Sequence, residues 1–221
     1  SGHTLLTTLL FSVILNNYTL SSYLSIGVSI ATILVIFLTT KIASSKGQRK
    51  AFVFSSAFAL ASALFLTIVM LIINPKGARL SALSFKGIIF SISFILMRAG
   101  MTLAQGMVIP MIADCSDYEA YKYNKSIPGL IGTLFSFVDK LVSSLGTSIL
   151  SIMLLFAIGN ESLDVTTSYQ ASLFVVFLIG GELFPIVGFI INLILMRNYE
   201  LTQNKMLEIS QALKKRLEEK N

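Results

Sequence analysis

The feature that most constrains this chain is the recurrence of long apolar stretches. A helix needs about 20 mostly apolar residues to cross a bilayer. Six stretches meet or approach that length: 4–20, 22–40, 51–73, 87–112, 128–158 and 168–196. Lipid offers no partner for unpaired backbone N–H and C=O groups, so each is expected to be helical. Period-2 alternation, the mark of a transmembrane barrel strand, is absent. Only 13% of the residues are charged, about half the share of a soluble domain. The expected fold is therefore an all-α membrane protein with six transmembrane helices over residues 1–200.

The charges that exist are unevenly placed. Lys41, Lys46, Arg49, Lys50, Lys122, Lys125, Arg197, Lys205, Lys214, Lys215, Arg216 and Lys220 fall on one side of the predicted spans. Lys76, Arg79 and Lys86 fall on the other. The positive-inside rule assigns the richer side to the cytoplasm, with the C-terminus there too. The net charge of +6 thus reads as loop bias in a multi-pass cell-membrane protein, not as a nucleic-acid surface. The tail, 201–221, repeats Met206, Ile209, Leu213 and Leu217 at helical spacing. It is expected to form a short amphipathic helix on the inner surface.

The same counts narrow the chemistry. One cysteine, Cys115, and one histidine, His3, leave no disulfide, no Cys/His metal centre and no His-based triad. The chain is not expected to be an enzyme, and no cofactor is expected. It begins Ser1-Gly2-His3 with apolar sequence at once, which reads as the interior of a longer protein, not as a signal peptide.

Four ionisable residues fall inside the spans: Arg98, Asp139, Lys140 and Glu182. Each is costly in hydrocarbon and is expected to face a cavity or a partner. Glu182 is the one most open to simple snorkelling. On the fifth span Thr133, Ser136, Lys140, Ser143, Thr147 and Ser151 recur at steps of three or four. They draw one polar stripe with Lys140 near its middle, which is read as cavity-lining. Asp139 is adjacent in sequence and points about 100° away, so the partner of Lys140 is elsewhere. Ser91, Arg98, Thr102 and Gln105 share a face of the fourth span. The hydroxyl-only stripe Ser22, Ser25, Ser29 and Thr32 of the second span is better assigned to packing.

The densest charge cluster lies at MIADCSDYEAYKYNKSIPGL, residues 111–130. Asp114, Asp117, Tyr118, Lys122, Lys125 and Gly129, followed by Lys140, resemble the signature of the glycoside–pentoside–hexuronide cation symporters. These are the melibiose-permease-like group of the major facilitator superfamily. Their pattern runs D-x-x-D-Y-x-x-x-K-x-G-K-R-x-x-G. The tail Asn198-Tyr199-Glu200-Leu201-Thr202 and the basic Lys46-Gly47-Gln48-Arg49-Lys50 are similar to that family's ending and to one of its basic loops. This chain departs from the pattern at Asn124, Ser126 and Pro128.

The resemblance implies the C-terminal half of a twelve-helix carrier, helices seven to twelve, with an N-terminal six-helix half as partner. It implies symport of a sugar or glycoside with Na+ or H+ by alternating access. Lys140 would face acidic cation-site residues of the other half, which would complete any Na+ site. Ser136 matches a threonine of the sugar cavity. Thr133, Asp139, Gln105 and Arg98 join the expected cavity set. Asp114, Asp117, Tyr118, Lys122 and Lys125 form the expected cytoplasmic gate, read as a hinge between two helices. The alternative reading is a major-facilitator carrier of another solute, such as a lipid.

Overall fold

The computed structural model describes residues 6–74, 80–81, 83–123, 128–158 and 170–218. Every regular element among them is helical. A π-helical segment, α1 (Leu9–Ile14), is followed by α2 (Tyr18–Lys46), α3 (Gln48–Ile73), α4 (Phe85–Gly106), α5 (Val108–Tyr123) and α6 (Pro128–Ile158). Then come α7 (Ala171–Phe177), a π-helical turn (Leu178–Leu183), α8 (Phe184–Leu195) and α9 (Gln203–Glu218). Five stretches are long and apolar enough to cross a membrane: Tyr18–Lys46, Gln48–Ile73, Phe85–Tyr123, Pro128–Ile158 and Ala171–Asn198. α2 alone has 29 residues, about 43 Å at 1.5 Å per residue.

The first two expected spans divide differently from the apolar pattern. Helical structure in the first stops at Leu15, and Asn16 adopts a left-handed φ of 46°. Asparagine tolerates that region better than most residues, so the chain turns there. The described part of the first segment is thus shorter than a span. α2 starts at Tyr18 and runs to Lys46, well past the expected 22–40. Asn17 fixes this corner by donating its side-chain N–H to the Leu80 carbonyl at 2.9 Å, while Leu80 N–H donates to Leu15 at 3.0 Å.

α3 is the centre of the bundle and packs most extensively on α4. Small residues make that possible. Ser55, Ser56, Ala59, Ser62 and Ala63 on α3 are buried, as are Ser93, Ala99, Gly100 and Ala104 on α4. A Cβ built on Gly100 would lie 2.9 Å from the Ala59 Cα, so only glycine permits this approach. Without a hydrophobic drive between helices in lipid, such close van der Waals contact holds them together. α2 covers α3 and α4, and α8 packs on the other side of α3. The core is completed by α1, whose Leu9, Leu10, Phe11 and Ile14 are all buried. Phe11 meets Phe90 and Phe94 edge-on, with ring centroids 6.2 and 5.2 Å apart.

Two prolines explain two interruptions. The fourth span does not end near residue 112. It breaks at Met107 and resumes as α5, with Pro110 in the new first turn. A proline ring clashes with the carbonyl four residues back and removes a donor. Similarly, Pro185 follows the π turn at Leu178–Leu183, where Phe184 N–H reaches back to the Ile179 carbonyl. Proline cannot donate to Gly181, and the helix widens before it.

α6 differs from the others. Of its 31 residues only Leu150 and Leu154 are buried. Both lie in its second half, where it packs on α7. Its first half is exposed along most of its length.

Candidate functional site

Two regions and one isolated helix face carry the polar side chains. The first region is a cavity of about 360 Å³ between α1, α2, α4 and the π turn. Thr7, Ser21, Ser25, Arg98 and Glu182 line it among apolar residues that include Phe11, Phe94 and Phe177. Glu182 is 1% exposed. Its Oε2 accepts a long hydrogen bond from the Thr67 hydroxyl, 3.4 Å, and its Oε1 has no hydrogen-bond partner among the described residues. Arg98, half-buried, lines this cavity from α4. Ser25, assigned on its pattern to packing, instead lines the cavity. Gln105, expected on the same face as Arg98, is exposed and does not line it.

Glu182 is the residue that pattern reading undervalued. Its place, near the middle of Ala171–Asn198, excludes snorkelling to a helix end. The signal was present in Gly180-Gly181-Glu182 followed by Pro185. Two glycines and a proline around an acid in an apolar run mark a local break in a helix.

The second region is the end of the bundle that gathers the basic connections. Gly47 turns α2 into α3 with φ of 86°. A Cβ there would also meet Gln203 at 2.9 Å, so glycine seats the start of α9. Arg49 ties the same corner to the end of α8, donating to the Met196 and Arg197 carbonyls at 3.1 and 2.9 Å. Next to it, Lys46, Arg49 and Lys50 line a cavity of about 560 Å³ with Thr202, Gln203 and Asn204. Asp114 and Asp117 face a neighbouring cavity of about 290 Å³, shared with Gly47, Gln48, Leu201, Met206 and Ser210. The Cys115 thiol and the Tyr199 hydroxyl are 3.8 Å apart. Burial first, then Cys115, hold the Tyr199 hydroxyl well above the ordinary tyrosine range, so it acts as a neutral hydrogen-bonding group. The three sequence stretches that carry the family resemblance thus meet at one end of the molecule.

α9 completes this end. Its Ile209 is fully buried and Met206 and Leu213 are half-buried, on the side packed against α5. The Leu217 side chain lies outside the described residues. Arg216 donates to the Tyr121 carbonyl at 3.0 Å, and its guanidinium sits 5.4 Å from the centre of the Tyr121 ring. Lys205 approaches that ring at 5.8 Å while pairing with Glu208 at 3.1 Å.

This arrangement corrects the picture of a charged hinge loop. Asp114, Asp117, Tyr118 and Lys122 all sit on the continuous helix α5, which runs to Tyr123. Lys122 does not answer the aspartates. Its ammonium lies over the rings of Tyr118 and Tyr123, at 5.7 and 5.1 Å, a cation–π arrangement. Among the described residues neither aspartate makes an ion pair. Lys125, Asn124 and Ser126 lie outside the described residues. Pro128 opens α6, the first-turn position that proline favours.

The isolated face belongs to α6. Thr133, Ser136, Asp139 and Lys140 are all exposed. The Thr133, Thr147 and Ser151 hydroxyls donate to carbonyls one turn back, at 2.7 to 3.0 Å. Arg98 and Glu182 line one cavity and both aspartates line another with residues of α9, and Lys140 lines neither. No group of three or more His, Cys, Asp or Glu poised for a metal ion occurs among the described residues.

A family model described as MFS/sugar transport protein matches residues 3–203. The chain belongs to this family. It is a major facilitator transporter, all-helical and multi-pass, working in a lipid bilayer. No curated protein and no solved structure matches the chain. The matched stretch takes in every element that would reach the membrane and stops where α9 begins. For a major facilitator transporter, polar groups inside the spans mark the solute or ion path. The Arg98–Glu182 cavity and the polar stripe of α6 are two places among the described residues where polar groups fall inside the spans.

Proposed function

We propose that this transporter carries out sugar:cation symport by alternating access, with Na+ or H+ as the coupling ion. On this reading the six segments form one half of a twelve-helix carrier in the plasma membrane, with the basic end in the cytoplasm. Substrate and ion sites of such carriers lie near the midplane, between two halves that rock about them. The observation that carries the reading is the exposed polar stripe of α6. A membrane-length helix with two buried residues carries Lys140 amid a line of hydroxyls. A lysine is costly against hydrocarbon, so this face is suited to a water-filled path closed by a second half. Lys140 then supplies charge opposite acidic ion ligands, Ser136 and Thr133 offer hydroxyls to the solute, and Asp139 flanks them. At the basic end Asp114, Asp117 and Tyr118 form part of the gate that opens and closes the path, with Lys122 on the same helix. The family description, which names sugar transport, favours a glycoside, pentoside or hexuronide over a lipid.

The test is solute uptake by the full-length transporter in proteoliposomes under imposed Na+ or H+ gradients. Gradient-driven, saturable uptake of one of these sugars is expected, and Lys140→Val is expected to abolish its dependence on the ion. Uptake whose ion dependence is unchanged in that variant would contradict the role given to Lys140. Uptake of lipid but not sugar would contradict the solute class.

A further inference from the structure

The Arg98–Glu182 cavity is distinct from the α6 stripe, and its chemistry is incomplete as it stands. Glu182 is buried in an apolar span, with Oε1 lacking a hydrogen bond among the described residues and Oε2 holding one long contact to Thr67. A buried carboxylate left unsatisfied is destabilising unless an ion or proton accompanies it. It nevertheless lines a cavity large enough for water or an ion, which Thr7, Ser21 and Ser25 also line. It also sits on a π-helical turn, a geometry that takes backbone carbonyls out of their regular pairing and recurs at functional sites.

We propose that Glu182 is the anionic ligand of a monovalent-cation site, taking a proton or a sodium ion, within this cavity. Among the described residues the surrounding elements supply one other charged group to this cavity. Arg98 comes from α4, while α3 contributes the Thr67 hydroxyl, the turn before α1 Thr7, and α2 Ser21 and Ser25. No other titratable side chain lines the cavity among the described residues. With the cation bound the carboxylate is satisfied. With the cation gone its charge faces Arg98 across the same cavity. Ion occupancy is thereby coupled to the packing of α4 against the π turn, whose Gly180 and Gly181 also line the cavity. The site stands on local binding geometry and does not depend on which solute is carried.

The experiment is infrared difference spectroscopy on the full-length protein in lipid nanodiscs, comparing wild type with Glu182→Gln. pH and Na+ are stepped separately. A proton site gives a carboxylic-acid C=O band in wild type that Glu182→Gln loses. A sodium site gives a saturable, Na+-dependent shift of the carboxylate bands, also lost in the variant. Either result supports the site and identifies its ion. If wild type and a folded Glu182→Gln variant give the same spectra in both titrations, the proposal is overturned. Should Glu182→Gln fail to fold, Glu182→Asp serves, and the ion-dependent band must shift in frequency. An unshifted band overturns the proposal. A positive spectrum with no solute uptake would sink the transport reading and leave this site standing.

Discussion

Asp114 and Asp117 share a cavity with the turn at Gly47 and the start of α9, and no cation pairs with either among the described residues. They lie three residues apart within α5, so two like charges are neighbours on one helix and the pair is held against its local preference. A gate that must separate during transport suits such weakly satisfied charges, since breaking it forfeits little. Asp117→Asn is therefore expected to lower the maximal transport rate about tenfold, roughly 1.4 kcal/mol on the barrier, with sugar affinity nearly unchanged. Transport rates and equilibrium sugar binding measured side by side check this. Weakened binding at an unchanged rate would count against a gating role. These two residues were visible in the sequence because charge is scarce there. Their mutual placement against α9 was not, because residues ninety positions apart meet only through the fold. Glu182 shows the converse. It was visible as an intramembrane acid, but hydropathy along the chain cannot tell a helix end from a buried turn.

At the level of elements, the apolar lengths located the third, fifth and sixth spans to within a few residues, because that signal is local. It failed where a single residue redirected the backbone. Asn16 cut the first segment short, and Met107 before Pro110 divided the fourth. The small-residue seam between α3 and α4 was likewise hidden, since serine, alanine and glycine carry no hydropathic periodicity. Gly100 is its tightest point. Gly100→Leu would drive a side chain into Ala59 and the Phe58 ring, and overpacking of this kind costs about 1–3 kcal/mol. The variant is expected to melt at lower temperature in detergent, while Gly106→Leu, with open space around it, melts as wild type. Equal melting of the two variants would contradict the seam.

On the scale of the whole molecule, the two ends do different things. At the basic end α9, the α2–α3 turn and α5 are tied by charge, aromatic and backbone contacts. Toward the middle, the Arg98–Glu182 cavity opens between helices of the bundle, and the α6 stripe is exposed. The resemblance in the sequence implied that Lys140 answers to another half, and among the described residues Lys140 is exposed and makes no ion pair. Hydroxyls on the first half of α6 should therefore be reached by water although the helix is membrane-length. The most direct measurement is labelling of Ser136→Cys in a Cys115→Ser background with a membrane-impermeant maleimide, in the full-length transporter. The label is expected to react, and its rate to change several-fold when sugar and coupling cation are added together. Leu134→Cys, two residues away on a different face, should react slowly and show no such change. A Ser136→Cys rate as slow as that of Leu134→Cys, and unmoved by sugar and cation, would contradict the claim that α6 lines the transport path.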